Sequence, residues 1–235
     1  DVHISGLKKE LCIVHVTDVH IGKTLGKAFI DDMVKQINTL SADIVVITGD
    51  LVDMPVEQIG DKLDTLKEIK SRLGVYYVPG NHEYFYGVHK IMEHVKSLGI
   101  HVLSNRSMVI NGAINLAGVM DMMGRRFDFE PPDLTLALSN VAPSLPTILL
   151  SHQPKIVSEI KHEKIDLILS GHTHGGQIYP FHYLVRLVQP FLAGLFYKNK
   201  TAIYVNKGIG TWGVDFRFKA NAEISLLKLI TKSVE

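Results

Sequence analysis

Strand-length apolar runs recur along this chain, and most of them stop abruptly at Asp, Asn or His. The runs at 11–16, 44–48, 75–78, 114–119, 147–150, 165–169 and 202–205, several rich in β-branched residues, predict buried strands. Between the early ones lie apolar positions at helical spacing: Phe29, Met33, Ile37 and Leu40; then Ile59, Leu63, Leu66, Ile69 and Leu73; then Ile91, Val95 and Leu98. This β-α-β-α-β-α alternation restricts the chain to an α/β fold with a largely parallel inner sheet. Shorter strands around Val109, Leu116 and Leu226 predict a second sheet facing the first. The expected architecture is a layered α/β/β/α sandwich with two facing mixed β-sheets. Gly74 and Gly99 are expected just past two helices, where a left-handed residue closes the last turn.

With 235 residues, 46% of them hydrophobic, the chain reads as one well-cored domain over 1–235, and a disordered tail is excluded. Lys plus Arg number 25 against 24 Asp plus Glu, so no global charge draws the chain to nucleic acid. Any preference for phosphate has to come from a site. A lone cysteine, Cys12, rules out an internal disulfide framework and a thiolate metal cluster. No stretch reaches the length of a spanning helix without a charge, and the chain begins at Asp1 rather than Met, which leaves room for a removed N-terminal signal or anchor.

The strand ends carry the chemistry, because active sites of open α/β sheets gather at the carboxyl ends of the strands. After 11–16 come Asp18 and His20, after 44–48 comes Gly49-Asp50, and after 75–78 comes Gly80-Asn81-His82-Glu83. Later, His152 follows 147–150, and Gly171-His172-Thr173-His174 follows 165–169. Asp18 and His20, like His172 and His174, stand two apart, a spacing that sends both side chains to one side of an extended segment. A set of Asp, His and Asn without sulfur suits Mn, Fe or Zn rather than Ca, and seven donors exceed the need of one tetrahedral ion, so two divalent ions are expected at the strand ends. His15 reads as a core residue, and His3, His89, His94, His101, His162 and His182 as surface. Asp121 is open between orienting a ligand imidazole and lying on the surface. Arg125 and Arg126 read as a solvated loop rather than a phosphate fork, and Arg217 is equally open.

Asp18-x-His20, Gly49-Asp50, Gly80-Asn81-His82-Glu83, His152 and Gly171-His172-x-His174 together resemble the five ordered blocks of the calcineurin-like metallophosphoesterases. The resemblance implies that Asp18, His20, Asp50 and His174 hold one metal and that Asp50, Asn81, His152 and His172 hold the other, with Asp50 bridging. It implies manganese first among the possible ions, and hydrolysis of a phosphodiester or pyrophosphate by a hydroxide between the two. His82 is implied to contact the phosphate and protonate the leaving oxygen.

The segment Gly49-Asp50-Leu51-Val52-Asp53-Met54-Pro55 lacks the arginine that follows this block in the protein-phosphatase branch, which points away from phosphoprotein substrates. Gly171 to Gln177 and Asn206 to Thr211 are similar to a membrane-associated branch, some of whose members cleave the pyrophosphate of UDP-2,3-diacylglucosamine. A phosphate-containing small molecule or lipid-linked substrate and a membrane-associated location, side unassigned, are therefore implied. The apolar stretch 180–197 is expected to be an internally packed lid or insertion, or else an exposed patch in 181–197 that makes peripheral contact with membrane. The rival classes are a metal-stabilised interaction module without turnover and a nuclease.

Overall fold

The computed structural model describes residues 1–23 and 25–231. One six-stranded sheet runs in the order β1 (Val2–Ile4), β12 (Ser225–Thr231), β2 (Leu11–Val16), β3 (Ile44–Thr48), β4 (Val75–Val78) and β5 (His101–Val102). The other runs β10 (Gly194–Lys198), β11 (Thr201–Val205), β9 (Leu167–Ser170), β8 (Thr147–Leu150), β7 (Ile114–Gly118) and β6 (Arg106–Ile110). Strands β2 to β5 are parallel, as are β7, β8, β9 and β11, while β12, β6 and β10 pair antiparallel with their inner neighbours. Both sheets are mixed, as expected.

The period-two alternation of strand side chains divides each sheet between two cores. Ile13, Ile44 and Val46 pack with Leu116, Leu150 and Leu169 between the sheets. The intervening Val14, Val45 and Ile47 face outward onto helices α1 (Lys27–Thr39), α2 (Val56–Leu63) and α4 (Val88–Ser97), through Met33, Ile59 and Ile91. On the second sheet, Leu149, Ile168 and Ile203 pack with Ala137 of α6 (Leu134–Leu138) and with Ile156. The result is helix, sheet, sheet, helix. The remaining helices are α3 (Asn81–Tyr86), α5 (Gly124–Phe127) and α7 (His182–Val188).

Three local expectations are corrected. Leu226 belongs to β12, which joins the first sheet beside β2 rather than the second. Its neighbours Leu227 and Leu229 are the buried positions, opposite Ile13 and Leu11, so the inward phase is one residue away from Leu226. The apolar spacing from Ile59 to Leu73 does not make one helix: α2 ends at Leu63 and tightens into a 3₁₀ turn at Asp64–Glu68 that keeps Leu66 buried. Gly74 therefore caps no helix, and its φ of 111° instead turns the chain into β4, whereas Gly99 does follow α4 with φ 83°.

Leu150 is wholly buried between the sheets. Leu150→Ala is expected to cost about 2–5 kcal/mol of stability, measured by urea or thermal unfolding, because the surrounding strands cannot collapse into the space left.

Candidate metal centre

Beyond β2 and β3 the two loops continue side by side: Asp18 N donates to Gly49 O at 3.0 Å, His20 N to Asp50 O at 3.0 Å and Ile21 N to Leu51 O at 2.9 Å. To stay paired while turning their side chains into the crevice, these residues leave the extended region. Five of the donor residues take positive φ, namely Asp18 (52°), His20 (55°), Asp50 (48°), His172 (71°) and His174 (50°). Non-glycine residues held this way cost about 1–3 kcal/mol each, and such positions cluster at functional sites. Glycine is required where the loops touch. A Cβ on Gly49, itself at φ 86°, would lie 2.6 Å from Gly80 Cα and 2.7 Å from His152 Nδ1. One on Gly171 would fall on the Thr17 hydroxyl and the Asp18 carboxylate.

These turns gather all seven expected donors into two adjoining groups. In the first, Asp18 Oδ2 accepts from Thr17 Oγ1 (2.8 Å) and from His172 N (2.9 Å). Its other oxygen, Oδ1, is buried without a hydrogen bond and turns toward the Nε2 atoms of His174 (3.3 Å) and His20 (4.0 Å). Those two nitrogens are 3.0 Å apart. In the second, His152 Nε2 stands 3.2 Å from Asp50 Oδ2, 3.1 Å from Asn81 Oδ1 and 3.2 Å from His172 Nδ1. Asp50 Oδ2 is also 4.0 Å from His20 Nε2, so a single oxygen lies between the groups. Buried carboxylates facing several imidazoles, with N and O donors and no sulfur, could hold a divalent ion in each group.

The ordinary pKa values are displaced accordingly. Burial works against ionisation of Asp18 and Asp50, yet the surrounding histidines hold both well below the usual carboxylate range. Burial, reinforced by the charge of His152, pushes His172 down to about 4, which leaves its imidazole neutral with a free lone pair. His152 donates from Nδ1 to Thr48 O at 2.8 Å, and that carbonyl fixes the ring with Nε2 toward the crevice.

His82 forms a further cluster with Asp53 and His20, beside the first group of donors. Its Nδ1 donates to Asp53 Oδ1 at 2.6 Å, and its Nε2 is 3.9 Å from Asp50 Oδ2 on the open side. The same Asp53 oxygen accepts from His20 Nδ1 at 2.8 Å. Burial lowers the pKa of His82, but the Asp53 hydrogen bond and the charges of Asp50 and Asp53 outweigh it and raise the value above 6.5.

Sequence reasoning assigned no role to Asp53 or to Glu83, although both stand within the quoted blocks. Glu83 is fully buried, and its carboxylate accepts from the N–H groups of Asp50 (3.1 Å), Leu51 (2.6 Å) and Gly80 (2.8 Å), which ties two loops together. Asp121 proves to be buried rather than on the surface, and it binds Gln153 Nε2 (3.0 Å) and Met123 N (2.8 Å), not an imidazole. Arg125 pairs with Glu159 at 2.7 and 2.8 Å. Arg217 clasps the carbonyls of Lys207, Gly208 and Gly210, and its guanidinium lies 3.1 Å from His174 Nδ1. His15 is a core residue bound to Thr48 Oγ1 at 2.8 Å, and the six other histidines lie outside the donor groups.

The calcineurin-like phosphoesterase family model matches residues 12–176. A metallophosphoesterase of Helicobacter pylori is 43% identical over 234 residues, covering 99% of this chain and 63% of that protein. A transmembrane protein with metallophosphoesterase domain from Bos taurus is 37% identical, covering 93% of this chain and 53% of its own length. UDP-2,3-diacylglucosamine pyrophosphatase LpxG of Chlamydia muridarum is 24% identical, covering 97% and 85%. The chain thus spans less than two thirds of the length of the first two. Among solved structures, a 5'-nucleotidase precursor from Thermus thermophilus shares the fold at TM-score 0.57 and 16% identity, over 94% of this chain and 54% of that one.

Replacing Asp53 by Asn removes the anion that raises His82 while leaving the burial that lowers it. The His82 imidazole of Asp53→Asn is therefore expected to titrate at lower pH than in the unaltered chain, followed by NMR of the ring protons.

Proposed function

This chain belongs to the calcineurin-like phosphoesterase family, and from that premise we propose that it hydrolyses a phosphodiester or pyrophosphate whose remaining part is apolar. The observation that carries this reading is a cavity of about 770 Å³. One end holds Asp50, Asn81, His82, His172 and His174, and the walls leading away are Phe85, Ile178, Phe181, Leu184, Val188 and Trp212. A polar pole opening into an apolar channel fits an amphiphile with its phosphate at the donor groups and its hydrocarbon along the walls. A lipid-linked nucleotide such as UDP-2,3-diacylglucosamine has that form, and LpxG, at 24% identity, is named for cleaving it. A nuclease is disfavoured because no Lys or Arg is among the lining residues, leaving nothing to track a polynucleotide backbone.

Asp18, His20 and His174 would hold one divalent ion, and Asn81, His152 and His172 the other, with Asp50 shared between them. Such ions, manganese in the first instance, would supply Lewis acidity toward a phosphoryl oxygen and lower the pKa of water beside it. The chain's own part is positioning and proton transfer. Asp53 and the Thr48 carbonyl lock His20 and His152 in the tautomers that present Nε2. His82, protonated at Nε2 and oriented by Asp53, gives that proton to the departing oxygen as the phosphorus–oxygen bond breaks.

Chelator-treated protein is expected to lose hydrolysis of bis-p-nitrophenyl phosphate and to regain it with added Mn²⁺, while Asp50→Asn stays at background. His82→Ala is expected to keep its metal, measured by elemental analysis, and to lose about 10²–10⁴ in kcat. Because the acid form of His82 is the active one, activity falls as pH rises through its raised pKa, and in Asp53→Asn that limb moves to lower pH. Metal uptake without turnover on any diester, monoester or pyrophosphate would assign the chain to the interaction-module class instead.

A further inference from the structure

Exposed apolar side chains concentrate around the mouth of this cavity. Helix α7 has no buried residue at all, with Leu187 80% and Val188 66% exposed. Across the opening, Trp212, Val214, Phe216 and Phe218 are also exposed. The two segments form one surface: Gln177 donates from Nε2 to the carbonyls of Trp212 (2.8 Å) and Val214 (3.1 Å), and Tyr179 N donates to Phe218 O at 3.1 Å. The ammonium of Lys219 lies 4.7 Å from the centre of the Tyr179 ring, at the junction. Isolated exposed apolar residues need no explanation, but a contiguous set on both rims of a binding cavity does.

Charge identifies what covers it. On the rim segments themselves, α7 and 212–219, the exposed charges are the basic Arg186 and Lys219 and the acidic Asp215. An apolar, aromatic-rich rim edged by Arg186 and Lys219 matches the interface of an anionic bilayer, where Trp, Tyr and Phe settle at headgroup level and Lys and Arg meet lipid phosphate. A second copy of the same face would bring Arg186 and Lys219 no opposite charge beyond Asp215, whereas an anionic bilayer supplies phosphate to both. Among the described residues no helix is long and apolar enough to cross a membrane, so the contact is one of lying on the surface.

We infer that α7 and the 212–218 loop dock this chain onto anionic phospholipid, with the cavity mouth facing the bilayer. Docking stands on the surface alone; the consequence that an amphiphile passes from the membrane straight into the cavity rests on the proposed hydrolase activity. Leu187 and Phe216 belong to the rim and do not line the cavity, which makes them the residues to alter.

The test is co-flotation of this 235-residue chain with phosphatidylglycerol vesicles and with phosphatidylcholine vesicles, alongside hydrolysis of bis-p-nitrophenyl phosphate in free solution. The expected result is binding to the anionic vesicles that weakens with salt. Leu187→Glu and Phe216→Glu are each expected to lower it by about tenfold or more, leaving hydrolysis of the soluble diester unchanged. Vesicle binding without diester hydrolysis would retain the docking face and remove the hydrolase reading. Failure to float with anionic vesicles, undiminished binding by both Leu187→Glu and Phe216→Glu, or a dimer in light scattering that Leu187→Glu dissociates would each overturn the inference.

Discussion

Two carboxylates, Asp18 and Asp50, are buried at the seam where the carboxyl ends of both sheets meet, and the neighbouring structure answers to that burial. A buried anion is tolerated only when hydrogen bonds and opposite charge replace water. Backbone N–H groups supply part of the replacement: His172 N reaches Asp18, and His82 N reaches Asp50 Oδ1 at 2.8 Å. Imidazoles from three loops and from α3 supply most of the rest. What they leave, a bare oxygen on Asp18 and a shared oxygen on Asp50, is what a pair of cations would complete.

Holding those groups still requires supports that never touch the crevice. Glu83 gathers three backbone N–H groups from the loops after β3 and β4. Burial and the nearby Asp50 raise its pKa, while the donated hydrogen bonds and His152 oppose that rise. Arg217 does the complementary work on the far side, satisfying carbonyls of the 207–210 loop whose Gly210 N binds Asp18 O at 2.8 Å. A cation behind one loop and an anion behind another set the positive-φ turns, which local preference alone would not populate.

The extent to which this is legible in the sequence follows from the range of the forces involved. Strand ends and their donors are local: an apolar run followed by Asp or His states both the element and the direction of its active end, so the order of residues alone places 11–16 and 44–48. Leu226 misleads because alternation gives a face but not its phase, and the pairing of Leu227 with Ile13 spans more than two hundred residues. Asp53 goes without a role although it stands three residues after Asp50. Its importance is a contact with His82 across a turn, and nothing in the spacing of Gly49-Asp50-Leu51-Val52-Asp53 foretells that contact. The apolar rim is half visible: 181–188 stands out by composition, but Trp212 and Phe218 join it through hydrogen bonds to Gln177 and Tyr179.

The near-zero net charge and the phosphate chemistry are two sides of one arrangement. A chain with a broad basic face would attract polyanions indiscriminately, and the electrostatic gain would fall with salt for every one of them. On the proposed reading, positive charge toward phosphate would come from ions held at the crevice, while no Lys or Arg is among the described residues that line the cavity. Discrimination would then rest on whether the group attached to phosphorus is comfortable against Phe181, Leu184 and Trp212. A hydrophilic ester would leave those side chains wet, whereas an acyl or prenyl group would bury them, at about 25 cal/mol per Å² of apolar surface removed from water. The same surface that penalises the free chain in water would favour an amphiphilic substrate, and such a substrate would join the exposed rim and the buried carboxylates in one site.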